Sequence, residues 1–186
     1  MSDDLVAALR AILERLGALG VDYMVVGSVA ALAHGRARAT QDCAVVVRAG
    51  EGRLRELVRS LPPERFYASE DAAADAVRHG SMFNIIDKTT GWKIDIVPLR
   101  SRPFSRREFD RRRPVELLGM EVFVATIEDV ILSKLEWSAL GGGSARQLED
   151  VQALVALGGP RLELDYLDDG ARELRVEAAW SQLRPT

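Results

Sequence analysis

Two acidic residues stand inside otherwise apolar, strand-like runs of this 186-residue chain, Asp42 in DCAVVV and Asp95 in KIDIVPL. A carboxylate buried in a sheet is costly unless it is paired or binds a metal. Asp95 lies between Ile94 and Ile96, so its side chain belongs to the opposite face from theirs. Oxygen donors of this kind suit Mg²⁺ and the phosphates it carries. Upstream, Gly27-Ser28 sits between the apolar run Tyr23-Met24-Val25-Val26 and a helical segment. Free backbone N–H groups at such a strand–helix turn suit a phosphate, with Gly27 allowing close approach and Ser28 offering its hydroxyl. Taken singly, a Gly-Ser pair is a turn with a cap and an Asp is a solvated strand residue. Two such acids in neighbouring strands facing a Gly-Ser turn point to chemistry.

The elements that must position these residues follow from periodicity and punctuation. Leu5, Leu9, Ile12, Leu13 and Leu16 recur at helical spacing after a Ser2 cap, and Gly17 and Gly20 close that helix. Tyr23 to Val26 and Asp42 to Arg48 read as strands, with a short helix from Val29 to His34 between them. A helix through Leu54, Leu57 and Leu61 ends at Pro62-Pro63, and Ser69 caps another that runs through Val77. Ser81 to Ile86 and Trp92 to Val97 form a hairpin around Asp87-Lys88-Thr89-Thr90-Gly91. Ser105-Arg106-Arg107-Glu108 has the pattern of a capping box. Val115 to Leu117 and Glu121 to Ala125 suggest a second hairpin, turning at Leu118-Gly119-Met120. Thr126 then caps a helix carrying Val130, Ile131, Leu135 and Leu140. Gly141 to Gly143 break it, Ser144 opens the next, and the tail is helical. This order predicts an α/β or α+β fold: a mixed-sheet domain over residues 1–125 and a packed helical lobe over 126–186.

Composition narrows the function classes. The chain is 47% hydrophobic with a formal charge of -3, which excludes both disorder and a generally basic nucleic-acid binder. Cys43 is the single cysteine, so no disulfide framework exists. No apolar run is long enough for a membrane span, and Met1-Ser2-Asp3-Asp4 is acidic where a signal peptide is basic, so a cytoplasmic protein with no membrane partner is expected. Arg100 to Arg113 hold seven Arg against Glu108 and Asp110, a local balance of +5. That run is either a solvated face or a track for RNA or another polyanion. His34 and His79 have no partner at zinc spacing, and His34 is expected to cap its short helix.

VVGSVAALAHGRARATQDCAVVV, the hairpin ending WKIDIVPL, and VFVATIEDVILSKLEW together resemble the nucleotidyltransferase superfamily of the DNA polymerase beta type. Within it the chain looks most like the bacterial abortive-infection-toxin-like branch. The resemblance spans roughly Val21 to Leu157. It implies transfer of a nucleoside monophosphate from a nucleoside triphosphate such as ATP to a hydroxyl, dependent on Mg²⁺ (or Mn²⁺). It places the catalytic, metal-holding acids at Asp42 and Asp95 and the phosphate grip at Gly27 and Ser28. Arg38 and Thr40 fall in the nucleotide-binding loop before the acids, and Lys134 on the helix facing the triphosphate. It leaves the acceptor open among RNA, protein and a small molecule, and the toxin-like branch implies an antitoxin partner.

One position departs from the pattern. Where the family carries its second Asp, this chain has Ala44. Residues two apart on a strand share a face, so Ala44 shares that of Asp42, while Cys43 points away into the core and cannot replace the missing ligand. Phosphoryl transfer rests on positioning and charge neutralisation, so the loss should be severe. An impaired enzyme, one that works with a single ion, an introduced substitution and a non-catalytic nucleotide- or partner-binding module all fit this sequence.

Overall fold

Val45 and Val47 are fully buried, while Ala44 and Val46 beside them are only half covered, and this alternation organises the molecule. The computed structural model describes residues 3–37, 42–117, 119–141 and 143–185, residue 42 by its backbone alone. The strands are β1 (Asp22–Val26), β2 (Asp42–Arg48), β3 (Phe66–Tyr67), β4 (Phe83–Asp87), β5 (Lys93–Pro98), β6 (Arg113–Leu117) and β7 (Met120–Val124). Among the described residues they form one sheet in the order β3-β4-β5-β2-β1-β7-β6. β2 runs parallel to β5 and β1 parallel to β7, and the remaining pairs are antiparallel. The fold is a mixed α/β sheet with helices packed on it.

The helices are α1 (Asp3–Ala18), α2 (Gly27–Ala33), α3 (Glu51–Ser60), α4 (Glu70–His79), α5 (Pro103–Arg111), α6 (Ile127–Leu140), α7 (Ala145–Gly158), α8 (Leu164–Leu174) and α9 (Glu177–Leu183). One sheet face supplies Cys43, Val45, Val47, Ile85, Ile94 and Ile96 to the core, all fully buried. The apolar stripes of α1 and α3 join the same cluster through Leu9, Ile12, Leu54 and Leu57. Removing this surface from water is the main favourable term in folding. The opposite face of β1, β2 and β5 stays partly open, and it forms the floor of a cleft.

Caps and turns account for most boundaries. Ser69 accepts from the Ala72 N–H at 3.2 Å to start α4, and Thr126 accepts from Asp129 at 3.3 Å to start α6. The Ser2 cap and residue Leu118 of the second hairpin turn lie outside the described residues. Ser144 stands at the N-cap of α7 without a side-chain cap bond. His34, at the C-cap of α2, bonds through Nε2 to the Ala125 carbonyl at 2.8 Å. That contact joins α2 to the end of the sheet, where α6 also packs on α2.

Two expectations are corrected. Ser105-x-x-Glu108 is not a capping box: Pro103 starts α5 one turn earlier with Arg102 at the N-cap, as proline's fixed φ favours. Ser105 and Glu108 therefore lie inside the helix and are buried. Nor is Arg100 to Arg113 a uniformly solvated face: Arg100, Arg106 and Arg113 are exposed, but the other four arginines are engaged within the fold. Arg102 forms a bidentate pair with Glu136, and Arg107 reaches Glu173 at 2.6 Å. Arg111 contacts Asp129 at 3.4 Å and Glu163 at 3.0 Å while stacking on Tyr166, and Arg112 lies over Phe109. These contacts tie α5 to α6 and α8.

Candidate functional site

Gly27 is the first residue of α2 and follows β1 directly, with φ of +66°. A Cβ there would meet no neighbour, so the requirement for glycine is conformational. This turn brings Ser28 to the open sheet face. A cleft of about 520 Å³ runs over that face, with Val26, Ala44, Val46 and Asp95 on its floor. Its walls come from the segment after β5, from α5 and α6, and from the start of α7.

Ala44 pairs in register with Asp95 across the parallel β2–β5 ladder, so the alanine stands beside the acid on the cleft floor. Asp95 is 7% exposed, and its Oδ1 accepts from Asn84 Nδ2 at 2.6 Å with Lys93 Nζ at 3.5 Å. These contacts satisfy one carboxylate oxygen and hold the group in orientation. Lys134 lies two turns into α6 and lines the same cleft. It is 4% exposed, which excludes a solvated helix lysine, and Nζ donates to Asp150 Oδ2 at 2.8 Å and Gln147 Oε1 at 3.1 Å. Asp150 also accepts from Arg36 Nε at 3.2 Å, so one buried carboxylate joins α7, α6 and the segment after α2.

The structure thus brings Gly27, Ser28, Asp95 and Lys134 around one cleft. Arg38, Thr40 and the side chain of Asp42 lie outside the described residues; the backbone of Asp42 opens β2 opposite Lys93 of β5. Cys43 is buried on the other face. Among the described residues no group of three His, Cys, Asp or Glu side chains could hold a metal ion. With Ala44 beside Asp95, the described cleft floor offers one carboxylate, fewer oxygen donors than a pair of ions needs.

Glu108 is a cleft residue that the sequence pattern concealed. It lines the cleft from α5, and its Oε1 accepts from Ser133 Oγ at 2.9 Å. Burial pushes its carboxyl up to about 8, and the nearby charge of Asp129 acts in the same direction. Met82, Trp137 and Leu140 add an exposed apolar rim.

Neither protein-family models nor curated protein sequences give a match to this chain. Solved structures do. An antigenic nucleotidyltransferase-like protein from Paracoccidioides brasiliensis superposes with a TM-score of 0.62 at 18% identity, covering 98% of this chain and 92% of that one. The antibiotic-resistance factor ANT(2″)-Ia, in complex with adenylyl-2″-tobramycin, also gives 0.62, at 14% identity, over 92% of this chain and 97% of its own. A lincosamide antibiotic adenylyltransferase in its lincomycin-bound form gives 0.53 at 11% identity, over 80% and 95%. This chain has the fold of the nucleotidyltransferase superfamily.

Proposed function

We propose that the protein transfers a nucleoside monophosphate from a nucleoside triphosphate to a hydroxyl group. The observation that carries this reading is the convergence of Ser28, Asp95 and Lys134 on one cleft over the open sheet face. In this reading the Gly27-Ser28 turn and Lys134 hold the phosphates, with Arg38 and Thr40 contributing from the loop before β2. Asp42 and Asp95 hold a single Mg²⁺ or Mn²⁺ ion. A bound ion would neutralise charge on the phosphates. Lys134 is fixed by Asp150 and Gln147 before any substrate arrives, and such preorganisation favours charge that develops during transfer. The acceptor is a small hydroxyl-bearing molecule. The arginines that could have tracked RNA are largely paired within the fold, and the volume and apolar rim of the cleft suit a compact ligand.

The test is incubation of the full chain with radiolabelled triphosphates, Mg²⁺ or Mn²⁺, and either tobramycin or total RNA. Label should move to the small molecule and be lost in Asp95→Asn; transfer that survives this change refutes the site. Ala44 favours a second reading, a module that binds nucleotide without turning it over. Triphosphate binding with no transfer under either ion would establish that reading instead.

A further inference from the structure

Glu108 is not used by the phosphate and metal roles, and its setting is unusual. It sits on the covered face of α5, 7% exposed, beside Ser105 and Ser133 on the cleft wall. No ion pair engages it among the described residues. The guanidinium whose charge acts on it, that of Arg102, is committed to Glu136 and to Ser105 Oγ, the latter at 2.8 Å. Ser133 occupies Oε1, whereas Oε2 makes no hydrogen bond among the described residues and is not sealed from solvent, in a residue that lines the cleft. The other acids of the cleft are more committed. Asp95 Oδ1 holds Asn84 and Lys93, and both oxygens of Glu136 hold Arg102.

A hydroxyl that attacks a phosphorus must give up its proton, and a positioned carboxylate of suitable basicity takes it best. We propose that Glu108 is the general base of the transfer, an assignment that rests on the function proposed above. As the acceptor oxygen forms its bond to the α-phosphorus, its proton passes to Glu108 Oε2. The bond from that phosphorus to the α–β bridging oxygen breaks, and its electron pair leaves with pyrophosphate. The charged groups facing Glu108 are Arg102 at the start of its own helix and Asp129 and Glu136 from α6, with Arg111 and Tyr166 bound to Asp129 behind them. Burial and Asp129 keep its proton on, while Ser133 and Arg102 favour release, and the balance near 8 gives a base that acts at mildly alkaline pH.

The experiment uses the full chain, radiolabelled ATP, Mg²⁺ and tobramycin from about pH 6 to about pH 9, scoring both transfer and AMP release to water. ATP binding is followed by calorimetry. The wild-type rate should rise through about pH 8. Glu108→Gln, which keeps the bond from Ser133, should lower it by about 100-fold or more, remove the rise and leave ATP affinity unchanged. Ser133→Ala should move the rise to higher pH, because it removes a hydrogen bond that favours the ionised form. A Glu108→Gln variant with the wild-type rate and pH profile overturns the assignment while leaving the proposed function standing. A wild-type chain that transfers nothing at any pH overturns both.

Discussion

Glu108→Gln also has a thermodynamic consequence that needs no substrate. Below about pH 4.5, its ordinary value, Glu108 keeps its proton in the folded and unfolded chain alike. As pH rises towards about 8 the unfolded carboxyl ionises while the folded one does not, so the unfolded state is favoured increasingly. The slope is about 1.4 kcal/mol per pH unit, which over this interval sets a ceiling of about 5 kcal/mol. Water at the cleft mouth and local relaxation lower the net loss to roughly 2–4 kcal/mol. Above about 8 both states are ionised and the loss is complete. Gln never ionises and its amide oxygen can still accept from Ser133, so the variant lacks this component. Urea melts of both proteins from about pH 5 to about pH 9 should show near-equal stability at the acid end and a variant more stable by roughly 2–4 kcal/mol at the alkaline end. Subtracting one curve from the other removes the titrating groups that do not couple to Glu108. A difference that stays constant with pH would show that Glu108 ionises as an ordinary surface carboxyl, which would also remove its fitness as a base.

Ala44→Asp places a second carboxylate beside Asp95. In chelator the variant should lose about 1 kcal/mol to like-charge repulsion, and it should gain more thermal stability from Mg²⁺ or Mn²⁺ than the wild type does; an equal metal response means that position 44 does not face the ion. Arg111→Gln should cost about 1–3 kcal/mol, because it strips a charge partner from fully buried Asp129, whereas exposed Arg106→Gln should stay within about 0.5 kcal/mol. Equal, negligible costs in chemical denaturation would return the arginine run to a solvated face.

What the sequence made legible was local. β1, β2 and β5 announce themselves as apolar runs, and the acid inside β5 marks the face that cannot be core. Thr126 and Ser69 act within one turn of their own positions, so their caps can be read from neighbours alone. Glu108 was concealed because Ser-x-x-Glu at helix-start spacing has two structural solutions. Pro103 chose the one that buries both residues, and the partner that gives Glu108 its setting, Ser133, lies 25 residues on. The arginine run misled for the same reason. Counting charge along the chain sees Glu108 and Asp110, but the acids that pair with these arginines include Asp129, Glu136, Glu163 and Glu173 on α6, α8 and the segment before α8. The two-residue β3 exists only as the antiparallel partner of β4, with no periodicity of its own.

The distribution of positive charge in the cleft separates attraction from orientation. Arg102 is paired with Glu136, and Lys134 shares Asp150 with Arg36, so the field of each at a distance is reduced. Arg100 and Arg146 line the same cleft, are exposed, and have no hydrogen-bond or ion-pair partner among the described residues. In the proposed function a polyphosphate approaching the cleft would therefore feel the rim arginines first, through water and subject to salt screening. Inside, it meets a lysine whose geometry is already set by a carboxylate and an amide and whose charge is little screened by solvent. Drawing Lys134 toward phosphate weakens its hold on Asp150, which keeps Arg36, and that exchange offsets part of the binding energy while leaving the cation aligned. Under the proposed function such a cleft spends little on capture and more on alignment, as a transfer that depends largely on positioning and charge requires.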